Sequence, residues 1–167
     1  MEYLIQESTL AQIAEPLKGK FIYKDIMVSL LGDRSKIMEI ELPEELNVLR
    51  HGKLFYCDNL TEIKFYGSQY SRWSSTFASN CPNLRNLRFC NNNLRSVALD
   101  MFTMNATSFE NIYLYQITPP TWHSIGNSME VLSSSTIHVP IGSGDAYKSA
   151  TNWSSFADNI VEDIEVE

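Results

Sequence analysis

Cysteine is scarce. Cys57, Cys81 and Cys90 are the three in 167 residues, which excludes a disulfide framework, because such small scaffolds carry even sets of cysteines at dense spacing. They read as buried thiols, behaving as small apolar groups. Long hydrophobic runs are missing too: nothing approaches the roughly 18 consecutive apolar residues of a membrane span. The opening stretch MEYLIQESTLAQIAEPL has neither a basic first region nor a continuous apolar run, so it does not read as a secretory signal. Positive charge is in the minority, with 13 Lys and Arg against 20 Asp and Glu and a formal net charge of −7. The basic residues are scattered among acids. That argues against nucleic acid, whose binders carry a basic stripe, and against anionic membrane surfaces.

Catalytic punctuation is equally thin. His51, His123 and His138 lie at no metal-ligand spacing. No phosphate-binding glycine loop and no nucleophile elbow occur. The paired carboxylates Glu39 with Glu41 and Glu44 with Glu45 read as a solvated face. The expectation is a non-enzymatic chain with no cofactor and no metal. No Pro/Gly/Ser-rich linker divides it, and a hydrophobic content of 44% suits a single core.

What the chain does have is a period. Leu84, Leu87 and Phe89 in NLRNLRF are spaced three and then two apart, and a run of asparagines follows. The same spacing joins Ile37, Ile40 and Leu42, then Leu60, Ile63 and Phe65, then Phe109, Ile112 and Leu114. Ser134, Ile137 and Val139 form a weaker copy. The leading positions are 37, 60, 84, 109 and 134, so the steps are 23, 24, 25 and 25. Leu46 and Leu49, Tyr70 and Trp73, and Leu94 and Val97 align in the second halves, and Phe55, Phe77 and Phe102 follow. Cys57 and Cys81 each stand three residues before the next leading leucine. A Leu-x-x-Leu-x-Leu pattern with a period of about 20 to 29 residues is the signature of leucine-rich repeats. The physical reason is that a unit of this size cannot bury its apolar side chains alone, whereas stacked units cover one another. The fold class expected is therefore an α+β repeat protein: a leucine-rich repeat solenoid of four to five coils with short parallel strands, closed at each end by a helix and strand cap.

Three regions follow. Residues 1–36 do not fit the repeat. Thr9 and Gln12 make a capping box, Leu10, Ile13, Ala14 and Leu17 share one helical face, and Pro16 limits or kinks the helix. This segment either caps the open end of the stack or docks to a larger assembly through Tyr3, Leu4, Ile5, Leu10, Ile13 and Leu17. Residues 37–140 hold the repeats, with the TPPTW stretch at residues 118–122 interrupting the second half of the fourth. Residues 141–167 form a C-terminal cap. There Ala146, Tyr147, Ala150 and Trp153 have helical spacing, Phe156, Ile160 and Val161 suggest a closing strand, and VEDIEVE reads as a solvated strand or tail.

The segment KIMEIELPEELNVLRHGKLFYCDNL and the ending IHVPIGSGDAYKSATNWSSF resemble BspA-like leucine-rich repeat proteins of gut bacteria and their phages. The likeness covers residues 35 to 162. It implies the repeat fold and a binding role without catalysis. The phrase YLIQESTLAQIAEPLKGK is similar to the opening of phage and prophage virion proteins. Together these imply a virion component (tail, fibre or decoration) made in the host cytoplasm, whose partners are other proteins of the assembly or a host-surface protein or glycan, with a homo-oligomer open. The alternative is a bacterial cell-surface adhesion or protein-binding module. Alternation within each short strand leaves three outward columns: Glu39, Glu62, Asn86, Asn111 and Thr136; Glu41, Lys64, Arg88, Tyr113 and His138; and Pro43, Tyr66, Cys90, Tyr115 and Pro140. The expected binding face comprises Glu39, Glu41, Glu62, Lys64, Tyr66, Arg88, Tyr113, Tyr115 and His138. It grades from acidic to aromatic, with Tyr and Arg as interface anchors.

Overall fold

A computed structural model describes residues 37–42, 54–55, 57–70, 78–79, 81–97, 109–122 and 132–166. The expected helix, cap or docking role of residues 1–36 lies outside the described residues, as do Pro43, His51 and His123.

The central element is a six-stranded sheet built from β1 (Glu39–Leu42), β3 (Glu62–Phe65), β6 (Asn86–Phe89), β8 (Asn111–Leu114), β10 (Thr136–Pro140) and β11 (Ile160–Ile164), in that spatial order. Every strand pairs in parallel with the one before it. Two smaller parallel sheets lie between these strands in the chain. One joins β2 (Leu54–Phe55) to β5 (Ala78–Ser79), and the other joins β4 (Gln69–Tyr70), β7 (Ser96–Val97) and β9 (Thr121–Trp122). One short α-helix, α1 (Gly144–Ser149), and a 3-10 segment (Trp153–Asn159) precede β11.

The apolar spacing explains the sheet. Within each four-residue strand every second side chain is buried, as period-two geometry requires. Ile40, Ile63, Leu87, Ile112, Ile137 and Ile160 line up on adjacent strands and are buried. Leu42, Phe65, Phe89 and Leu114 form a second buried column, in which the Phe65 and Phe89 rings stack with centroids 4.7 Å apart. Leu60, Leu84 and Phe109 fill the leading positions, also buried. A one-residue slip would turn all of these columns to solvent, which is why the register is firm.

The asparagine run has a structural answer. Asn91 accepts the backbone N–H of Asn93 at 2.7 Å, closing an Asx turn. Its amide group donates to the carbonyl of Tyr66 in the preceding unit at 2.8 Å. Gln116, the equivalent position one unit later, donates to the carbonyls of Phe89 and Asn91. Asn83 likewise reaches back to the Asp58 carbonyl at 2.7 Å. Side-chain amides thus supply donors to these backbone carbonyls.

Four details differ from the expectation. The leading position of the fifth copy is Ser135 rather than Ser134: Ser134 is exposed, while Ser135 is buried and donates its hydroxyl to the Phe109 carbonyl at 2.8 Å. The TPPTW stretch does not break the pattern, because Thr121 and Trp122 pair in register with Ser96 and Val97. The helical spacing from Ala146 to Trp153 spans two elements: α1 ends at Ser149, Ala150 is extended, and Asn152 takes a positive φ of 69° before the 3-10 segment starts. Phe156 belongs to that 3-10 segment, and the closing strand begins at Ile160, with Val161 exposed.

Candidate functional site: the outward face of the sheet

The alternate side chains of β1, β3, β6, β8 and β10, with Asp163 of β11, face away from the core and form the candidate site. The expected columns are neighbours across the sheet: Glu39, Glu62, Asn86, Asn111 and Thr136 in one, and Glu41, Lys64, Arg88, Tyr113 and His138 in the next. Glu39 is exposed, and Glu41, Glu62, Lys64, Tyr66, Arg88, Tyr113, Tyr115 and His138 are half-buried. None of these nine points into the core. Pro140 departs from the third column. The register shifts between Val139 and Pro140, which pairs with Ile164, and the proline ring is buried.

The face is one connected network. Lys64 makes ion pairs with Glu39 and with Glu41, the latter at 3.1 Å, and lies 3.9 Å from Glu62. Arg88 donates from Nε to Glu62 at 2.6 Å and from Nη1 to the Tyr115 hydroxyl at 3.2 Å. Its guanidinium carbon sits 3.7 Å from the centre of the Tyr113 ring, a cation–π geometry. On the other side of Tyr113 the His138 ring stacks at 4.4 Å. His138 Nδ1 lies 2.8 Å from Asp163 and Nε2 lies 3.0 Å from the Asn111 amide oxygen. Asn111 in turn donates to Asn86 at 2.9 Å.

The electrostatics follow from these partners. The hydrogen bond to Glu39 raises the Lys64 pKa above its ordinary value, against the opposing effect of burial. Burial works against the Arg88 charge, but its bonds to Glu62 and Tyr115 outweigh that and raise its pKa. Burial, with a smaller contribution from neighbouring Cys90, pushes the Tyr66 hydroxyl up to about 12. Both cations therefore stay charged and are locally neutralised. Four carboxylates (Glu39, Glu41, Glu62 and Asp163) surround two cations, so the face is acidic on balance. Exposed ion pairs contribute only about 0–1 kcal/mol each. What they supply is a fixed arrangement of side chains.

Asp163 was not legible as part of this face. The spacing of Ile160 and Ile164, with three exposed residues between them, shows no alternation, and the strand meets His138 only through the irregular pairing of β10 with β11. Among the described residues no group of three His, Cys, Asp or Glu side chains is placed to hold a metal ion. Among the same residues no helix is long and apolar enough to cross a membrane. No protein-family model matches the chain, and no curated protein matches it significantly.

Proposed function

We propose that the chain is a leucine-rich repeat solenoid that binds a protein or glycan through the outward face of its sheet, without catalysis, as a component of a phage virion. The observation that carries the binding reading is the connected network from Glu39 to Asp163. Tyr113 is held between Arg88 and His138, and side chains already fixed in place lose little conformational freedom on meeting a partner. The period of 23 to 25 residues and the in-register parallel strands support the solenoid. The phrase YLIQESTLAQIAEPLKGK, similar to the openings of virion proteins, supports the setting. A second reading, a bacterial surface adhesion module, draws on the resemblance of the repeats to BspA-like proteins.

Gradient-purified particles separate the two readings. In the first, the chain co-sediments with particles in amounts comparable to their structural proteins, and particles carrying Arg88→Glu with Tyr113→Ala assemble but adsorb poorly to host cells. Absence from particles, together with recovery on the bacterial surface, overturns the virion setting in favour of the adhesion module. Normal adsorption by the double variant removes the face from the binding role.

A further inference from the structure

Cys57 and Cys81 occupy the same place in consecutive units. Glu62 pairs with Asn86, and five residues before each stands a cysteine. The turn that leads into each strand closes identically, with the Leu60 N–H on the Cys57 carbonyl and the Leu84 N–H on the Cys81 carbonyl, both at 3.1 Å. Asn83 ties the second turn to the first through the Asp58 carbonyl. Parallel strands run about 4.8 Å apart, and a disulfide needs Cα atoms about 4.4–6.8 Å apart. Turns stacked at the strand spacing would bring the two cysteines within that range. The two thiols already hydrogen-bond to each other, and both side chains are buried. Cys90 is placed differently. The four-residue strand β6, at about 3.3 Å per residue, separates it from Cys81 by more than the roughly 7 Å that a disulfide spans. Its thiol donates instead to the Arg88 carbonyl at 3.8 Å.

We propose that Cys57 and Cys81 are a modification site, an oxidisable pair whose disulfide would staple two neighbouring units together. The co-reactant is a low-molecular-weight disulfide. Cys81 loses its proton and its thiolate attacks one sulfur of that disulfide, releasing one small thiolate and leaving a mixed disulfide on Cys81. Cys57 then loses its proton and attacks the Cys81 sulfur, releasing the second small thiolate. Two protein thiols are oxidised to one disulfide, and one small disulfide is reduced to two thiols. The hydrogen bond from Cys57 holds the Cys81 thiol below its ordinary pKa, which makes Cys81 the first nucleophile. Burial pushes the Cys90 thiol up, which lowers the fraction of it present as thiolate. Because the pair is buried, the reaction waits on local opening of these turns, and the second step then outruns release because its partner is adjacent.

The test is to incubate the folded full-length chain with excess oxidised glutathione, quench in acid, alkylate under denaturing conditions, and map the peptides by mass spectrometry. A chain denatured throughout the same incubation serves as the oxidation control. The expected result is a Cys57–Cys81 linked peptide, two hydrogens lighter than its reduced parts, with Cys90 recovered alkylated. A link that includes Cys90 would overturn the proposal. So would stable glutathione adducts on Cys57 and Cys81, or full alkylation of both when the denatured control has oxidised. The wild-type chain suffices, so no variant has to fold for the result to count.

Discussion

At the scale of single residues, buried polar groups divide into those with partners and those without. Ser135 and Ser96 are both buried serines. The Ser135 hydroxyl donates to the Phe109 carbonyl at 2.8 Å, while the Ser96 hydroxyl meets no hydrogen-bond partner among the described residues. A net hydrogen bond contributes about 1 kcal/mol, and an unsatisfied buried hydroxyl costs about 1–3 kcal/mol. Ser135→Ala should therefore destabilise the chain by about 1 kcal/mol. Ser96→Ala, which removes an unsatisfied group and keeps most of the volume, should stabilise it by about the same amount. Chemical denaturation of the two variants beside the wild type checks the pair. Losses of equal size in both would show that packing volume, not hydrogen bonding, decides at these sites. Among the described residues the Trp122 indole N–H and the Gln116 amide oxygen are likewise buried without partners. Trp122 is retained for its ring, which stacks on Phe156 and leans on Trp153.

At the scale of elements, the joint between α1 and β11 is electrostatic. Ser143, at the helix N-cap, makes no side-chain capping bond, since its hydroxyl donates to Pro140 instead. The Glu162 carboxylate of β11 takes over, accepting the Gly144 N–H at 2.8 Å. That bond, helped by the N–H groups of Gly142 and Ser143, lowers the Glu162 pKa below its ordinary value of 4.5. A carboxylate depressed on folding contributes stability that is fully present above its unfolded pKa and is lost as pH falls through the folded value. The wild type should thus lose stability below about pH 4.5 more steeply than Glu162→Gln, whose amide does not titrate. A Cβ at Gly144 would lie 2.6 Å from the Glu162 Cδ, so Gly144→Ala should displace the carboxylate and flatten the acid slope in the same way. Parallel acid titrations of all three chains, followed by thermal unfolding, test this. An unchanged slope in both variants would remove Glu162 from the joint. This joint was invisible in the sequence, where Glu162 is one acid among several in VEDIEVE. The main sheet was legible, because a strand that buries every second residue against identical neighbours leaves its register in the apolar spacing. The irregular places were not. Ser134 and Ser135 look alike until one is seen to reach a carbonyl. Trp122 in TPPTW carries no strand alternation, and its place is set by its neighbour Val97.

At the scale of the whole molecule, stability depends on covering the end of the stack of parallel strands. In this sheet each inner strand has a neighbour on either side, and an end of the stack with an apolar face needs a cover. Residues 141–166 provide one at the β10 end. Tyr147 donates its hydroxyl to the Gln116 carbonyl at 2.9 Å, and the Trp153 indole donates to the Pro120 carbonyl at 2.8 Å. Asn152 and Asn159 donate to the carbonyls of Trp122, Ser133 and Ser135. Tyr147, Trp153, Phe156, Ile160 and Ile164 are all buried. Truncating one large buried aromatic costs about 3–5 kcal/mol, and a typical domain is stable by only about 5–15 kcal/mol in total. Deleting residues 141–167 removes three such aromatics together and bares both Trp122 and the open edge of β10. An exposed apolar strand edge is a template for pairing with another chain. The truncated chain should therefore bind a hydrophobic dye and self-associate, whereas Trp153→Ala alone should remain monomeric and lose about 3–5 kcal/mol. Size-exclusion chromatography with light scattering, run beside dye binding, distinguishes the two. A monomeric truncated chain with an unchanged unfolding midpoint would mean that the β10 end is stable uncovered, and that the C-terminal segment serves something other than closure.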